Sequence, residues 1–182
     1  MASFTHTAFD TPMGPVALAA TGEGVIRCNL PGSDPDELVE EVIARTGMNP
    51  VEGGRTVDEA ADQVASFLEG GLREFDLDLD WQLVGGFYRE VLQATTTIPW
   101  GETASYGEVA ALAGKPGAAR AAGTALSLNP IALIVPCHRI IKSDGSTGGY
   151  GGGKAGTALK QRLLDLENPQ DSVWAGASVS EK

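Results

Sequence analysis

The feature that most limits how this chain can fold is the domain boundary marked by Gly85–Gly86. Ahead of it lie three short extended runs cut by turn residues and then two helical patterns; behind it the chain reads as helical. Extended chain sends alternate side chains to opposite faces, whereas a helix keeps every third or fourth on one face. The expectation is an α/β chain of the α+β kind: an N-terminal antiparallel three-stranded sheet with helices, then a mostly helical part. The three runs are SFTHTAF, VALAAT and VIRCNL, separated by DTPMGP and GEG, whose Pro and Gly are turn residues. DPDELVEEVIART follows as a helix with Asp34 as N-cap and Leu38, Val42 and Ile43 on one face. RTVDEAADQVASFLEGG repeats the pattern with Val57, Ala60, Ala61, Val64 and Phe67 or Leu68, and stops at Gly70-Gly71. FDLDLDW alternates strictly and reads as an edge strand or an extended linker whose acids keep an open edge from pairing. These boundaries divide the chain into a domain over 1–80, a linker over 81–86, a second domain over 87–168 and a polar tail over 169–182.

In the second part, FYREVLQATTTI is amphipathic and ends at Pro99. SYGEVAALAG is a short helix closed by Gly114, with Ser105 and Glu108 as an S-x-x-E capping box. KPGAARAAGTALSLN is a second helix ending before Asn129-Pro130, so the two form a helix-turn-helix pattern. Many helical hairpins look the same and never touch nucleic acid. The second helix is unusual in being almost all Ala, Gly, Ser and Thr, with one long cation, Arg120, near its start. Such a helix can approach a groove closely, or pack closely on another helix. The glycines of TGGYGGG permit close backbone approach but do not match a phosphate-binding fingerprint. ALKQRLLDLE closes the fold as an amphipathic helix with Leu159, Leu163, Leu164 and Leu166 inward.

Charge is distributed unevenly. The net charge of −11 argues at first against a polyanionic partner. Yet residues 1–80 carry 4 Lys and Arg against 16 Asp and Glu, while residues 100–163 carry 7 against 3. The later segment can therefore face a polyanion, or be an ordinary solvated surface. No apolar run reaches 18 residues, so no transmembrane helix is expected, and the N-terminus lacks a secretory signal pattern. Two cysteines, Cys28 and Cys137, make no disulfide framework and are expected as reduced thiols in a cytoplasmic protein.

IVPCHRII places one of the two cysteines, Cys137, beside one of the two histidines, His138. A thiol attacks as the thiolate, and a base together with Arg139 and Lys142 would favour that form. Adjacency in sequence does not make two side chains face each other, and a buried structural cysteine is the ordinary alternative. Positions 6, 28, 137 and 138 offer no ligand spacing for zinc, so no metal is expected.

The stretch GETASYGEVAALAGKPGAARAAGTALSLNPIALIVPCHRII, with SDGSTGGYGGG after it, resembles the O6-alkylguanine-DNA alkyltransferases, or methylated-DNA–protein-cysteine methyltransferases. The resemblance is strong over residues 87–167 and weaker at FDTPMGPVALAAT, and it implies a ribonuclease H-like first domain. It implies that Cys137 accepts an alkyl group from guanine O6, and from thymine O4, in a single turnover without a cofactor. It assigns His138, through a water, as the base for Cys137, Glu167 as the residue that holds His138, and Asn129 as the brace of the cysteine loop. It assigns Arg120 as the finger that fills the stack after base flipping, and Tyr106 as a donor to the guanine. Ala121 and Gly123 lie on the helix that enters the minor groove. The carbonyls of Cys137 and Ile140 would accept from the exocyclic amine, and Tyr150 and the Gly151 amide would line the pocket. The implied partner is double-stranded DNA carrying O6-alkylguanine, bound by a monomer. The chain departs from the family pattern with Gly151 where some members have Ser, Ala132 where some have Pro, Gln93 in place of Trp, and an AGT insertion after Lys154 that bears on Glu167.

Two rivals remain at this level. A cysteine-dependent transferase or hydrolase acting on a small molecule would use the same Cys-His-Glu set with many turnovers. A lesion-binding module would share the fold, but the related binding proteins lack the acceptor cysteine.

Overall fold

The computed structural model describes residues 1–151 and 153–168, and the expected polar tail lies outside them. Strands β1 (Ser3–Phe9), β2 (Val16–Thr21) and β3 (Gly24–Cys28) form the antiparallel meander read from the sequence. The sheet nevertheless has four strands, not three. β4 (Asn49–Glu52) pairs parallel with β1, in the order β3-β2-β1-β4. NPVE is exposed at every position and carries a proline, so it has no burial period to read. It is a strand only because β1 offers it an open edge.

Alternation along β2 sorts the first part into two apolar layers. Ala17 and Ala19 join Phe4, Ile26, Leu38 and Val42 beneath α1 (Pro35–Thr46). Val16, Leu18 and Ala20 join Val57, Ala60, Val64 and Phe67 of α2 (Arg55–Leu68). A strand covered on both faces reads as a continuous apolar run, as VALAAT does. Asp34 caps α1 by accepting from the Asp36 amide, but Ile43 is 40% exposed and leaves the inward face to Leu38 and Val42. The FDLDLDW segment is an extended linker with a single bridge: the Val25 amide donates to Asp78 O at 2.9 Å, and the Asp80 amide donates to Val25 O at 2.8 Å. The free edge of β3 is thereby covered.

The second layer continues without a break into α3 (Gly86–Thr95), α4 (Tyr106–Leu112), α5 (Ala119–Ser127) and α6 (Gly153–Glu167), through Val91, Leu92, Val109, Ala122, Ala125 and Leu163. The capping box forms at α4, with the Glu108 amide donating to Ser105 Oγ and the Ser105 amide to Glu108 Oε2. β5 (Ala104–Ser105) pairs parallel with β6 (Ile140–Ile141), which ties the start of the helix-turn-helix to the segment after Cys137. β3 reaches the same segment from the other side: the Cys28 amide donates to Pro130 O and the Ala132 amide to Cys28 O. Cys28 is thus a buried structural thiol, pushed up to about 12 by desolvation.

Candidate active site

Residues 131–140 are all buried, in a loop that carries Leu133 at φ 69°, the one non-glycine residue with positive φ among the described residues. A β-carbon in that region is strained, and here the packing around a fully buried Leu133 enforces it. The loop ends in a single 3-10 turn, Cys137–Arg139, which turns three consecutive side chains in different directions.

Cys137 faces a cavity of about 490 Å³. Tyr106, Gly123, Asn129, Tyr150 and Gly151 line the same cavity, so six of the residues singled out in the sequence meet there. Asn129 Nδ2 donates to Cys137 Sγ at 3.2 Å and to Val135 O at 3.1 Å, while its Oδ1 accepts from the Ile131 amide at 2.9 Å. One amide side chain therefore fixes both the loop and the thiol. Burial raises the Cys137 thiol, and the Asn129 hydrogen bond, Tyr150 and the Lys160 charge act against that rise. Burial and the nearby Cys137 likewise raise Tyr106 and Tyr150, which therefore keep their hydroxyl protons.

Behind the cysteine, His138 turns into the protein. Its Nε2 lies 2.8 Å from Glu167 Oε1, and its Nδ1 has no protein partner among the described residues. Desolvation lowers the His138 pKa despite Glu167, which leaves a neutral imidazole with Nε2–H donating and Nδ1 able to accept a proton. The Phe67 ring, 6.1 Å away between centroids, belongs to that apolar surround. Glu167 in turn accepts from Arg139 Nε at 2.9 Å and Nη2 at 2.8 Å. Burial pushes Glu167 up, but the hydrogen bonds from His138 and Arg139 outweigh it and hold the carboxyl below its ordinary range. Arg139 Nη1 also donates to Ile98 O at 2.6 Å.

The rest of the site lies elsewhere. Arg120 is exposed near the start of α5, outside the cavity, and Ala121 beside it is half-buried. Ile140 does not line the cavity; its carbonyl accepts from Lys160 Nζ at 2.5 Å. No cluster among the described residues could hold a metal ion.

The DNA-binding domain of 6-O-methylguanine DNA methyltransferase matches residues 86–169. A methylated-DNA–protein-cysteine methyltransferase of Mycobacterium leprae is 45% identical over 164 residues, covering 88% of this chain and 90% of that one. This chain belongs to the methylated-DNA–protein-cysteine methyltransferase family. The Mycobacterium bovis member is 43% identical over 89% of the chain and 91% of its own length. The crystal structure of Mycobacterium tuberculosis OGT in complex with DNA superposes with a TM-score of 0.74 at 38% identity, covering 93% of this chain and 96% of that one. The fold alone extends to the O6-methylguanine-DNA methyltransferase of Pyrococcus kodakaraensis, at 23% identity, a TM-score of 0.63, and coverage of 91% of this chain and 99% of that one.

Three features of this methyltransferase-family site escaped the reading of the sequence. Lys160, one of the seven cations of residues 100–163, is 1% exposed; it donates to Ile140 O, and its Nζ lies 5.8 Å from the Tyr106 ring centroid and 5.9 Å from that of Tyr150. Burial lowers its pKa to about 8. The signal was present: Gly156, Lys160, Leu163 and Glu167 are the buried stripe of α6, at helical spacing, whereas Leu159, Leu164 and Leu166 are only half-buried. Arg139, weighed only as a basic neighbour, is the partner of Glu167. Leu30, far away in the chain, lines the cavity, and no local pattern indicates it.

Proposed function

We propose that this protein repairs alkylated DNA by moving the alkyl group of O6-alkylguanine, and of O4-alkylthymine, onto Cys137, once per molecule. The observation that carries the reading is Cys137 at the wall of a 490 Å³ cavity, backed by a buried His138–Glu167 pair. Residues 87–168 supply both the chemistry and the DNA contact, and the free thiols Cys28 and Cys137 suit a reducing cytoplasm.

The substituent of a stacked guanine cannot reach a buried thiol, so the nucleotide swings out of the duplex into the cavity. The small-residue face of α5, at Ala121 and Gly123, approaches the minor groove, and Arg120 fills the gap left in the stack. Tyr106 and Tyr150 donate to the base, and the Gly151 amide faces O6. Neutral His138, through one water, takes the thiol proton, and Glu167 and Arg139 hold the imidazole while it is charged. The sulfur–carbon bond forms as the carbon–O6 bond breaks, and the departing guanine takes up a proton, so the exchange is neutral overall. A thioether has no easy leaving group, which makes the reaction final.

The test is a duplex oligonucleotide carrying O6-methylguanine, followed by intact mass and peptide mapping. One methyl per molecule on Cys137 is expected, and Cys137→Ser is expected to bind the duplex without transfer. Repair of several lesions per molecule would instead favour a turning-over enzyme.

A further inference from the structure

Among the described residues, the acceptor cavity has one wall from the sheet part of the chain. Leu30, in the segment joining β3 to α1, is the only lining residue that precedes Tyr106. Its Cδ1 is packed against Gly151 so closely that a β-carbon at 151 would lie 2.6 Å from it. Gly151 itself sits at φ 55°, which disfavours any side chain there on backbone grounds. Beyond this contact is a second cavity of about 470 Å³, bounded by Met13, Pro31, Ala155, Gly156, Leu159 and Arg162 among others. Among the described residues, Leu30 and Gly151 are the two that line both spaces. The partition is therefore one flexible isobutyl group resting on glycine backbone.

The two sides of that partition differ in how they can yield. A half-buried leucine changes rotamer without moving the chain, whereas Gly151 has no side chain and can yield only by moving its backbone. A methyl group on guanine O6 adds little bulk inside the cavity, whereas a longer chain or an aryl group extends further toward its walls.

We propose that Leu30 determines which alkyl groups this protein accepts: it closes the far wall of the Cys137 cavity, and larger alkyl groups pass it into the second cavity. This rests on Cys137 as the alkyl acceptor. The bonds made and broken are those already given, with only the size of the transferred group changed.

The experiment compares transfer rates from duplexes carrying O6-methylguanine, O6-n-butylguanine or O6-benzylguanine, for the wild type, Leu30→Ala and Leu30→Phe. One methylene too many in an apolar pocket costs on the order of tenfold or more. Leu30→Ala is expected to raise the butyl-to-methyl and benzyl-to-methyl rate ratios by about tenfold, and Leu30→Phe to lower them by a similar factor. Ratios unchanged in both variants overturn the proposal. Loss of methyl transfer in both variants also overturns it, because Leu30 is then a packing residue of the whole site. Failure of the wild type to methylate Cys137 is a separate result, which removes the alkyl-acceptor reading itself.

Discussion

Cys137 is pushed up by burial and pulled back by three neighbours, of which only Lys160 brings a full positive charge. That charge is itself conditional, since Lys160 has come down to about 8. Lys160→Met keeps most of the volume and removes the charge, so the Cys137 thiol is expected to rise further. Alkylation of Cys137 by iodoacetamide against pH measures this: the inflection should move upward, and an unmoved profile would mean that Lys160 serves only its contact with Ile140 O. Glu167 and His138 govern the acid side. Both have folded pKa values below their ordinary ones of 4.5 and 6.5, so in each case the unfolded chain binds protons first as pH falls. The stability they contribute is complete above about pH 6.5, declines as pH drops toward the lowered His138 value, and declines again below about 4.5 as Glu167 is approached. Urea unfolding from pH 8 to 4 should show this loss in the wild type. In His138→Phe the first part of the decline should disappear; if it persists, another group is titrating.

At the scale of elements, α6 and the segment before it come together because Gly156 has no side chain. A β-carbon at 156 would stand 1.5 Å from Tyr150 O, so only glycine lets α6 come close enough for Lys160 to reach Ile140 O and Glu167 to reach His138. The helix-turn-helix is held from its start by the capping box at Ser105, a contact worth roughly 1 kcal/mol in such helices. It leaves Arg120 exposed on α5. If Arg120 fills the stack after the base leaves it, Arg120→Ala should slow repair of duplex O6-methylguanine far more than reaction with free O6-benzylguanine, which needs no flipping. Arg120→Lys separates stacking from charge, because lysine offers a point charge without a plane. Nearly full rescue by lysine would reduce Arg120 to a phosphate contact, and equal losses on duplex and free base would remove it from flipping.

For the molecule as a whole, the charge is divided between its two parts. Residues 1–80 hold 16 Asp and Glu against 4 Lys and Arg, whereas residues 100–163, with Arg139 and Lys160 buried, expose the five cations Lys115, Arg120, Lys142, Lys154 and Arg162 against 3 acids. Such a protein is expected to present its later part to the duplex and turn the acidic sheet away. Phosphate contacts release counterions, so affinity for duplex DNA should fall steeply, with log K linear in log salt, between about 50 and 200 mM. Fluorescence anisotropy with unmodified duplexes of several sequences measures it. A flat salt response would place the DNA on some other face, and strong sequence preference would point to base reading rather than phosphate contact.

The sequence by itself determined whatever is encoded over short distances. Turn residues between extended runs gave β1 to β3, capping residues gave the starts of α1 and α4, and Cys137, His138 and Asn129 stood within nine positions of one another in a readable motif. What lay beyond was decided by partners distant in the chain. β4 is a strand only beside β1. Ile43 is 40% exposed because Leu38 and Val42 take the inward face of α1, and Lys160 is buried on the face of α6 that Gly156 lets approach Tyr150. Glu167 could be named from resemblance, but its value as a partner depends on Arg139 meeting it from another element. Leu30 lines the cavity two residues after Cys28, whose backbone pairs with Pro130 and Ala132 far along the chain. Local periodicity records which face of an element is apolar; it carries no record of which element will lie against that face.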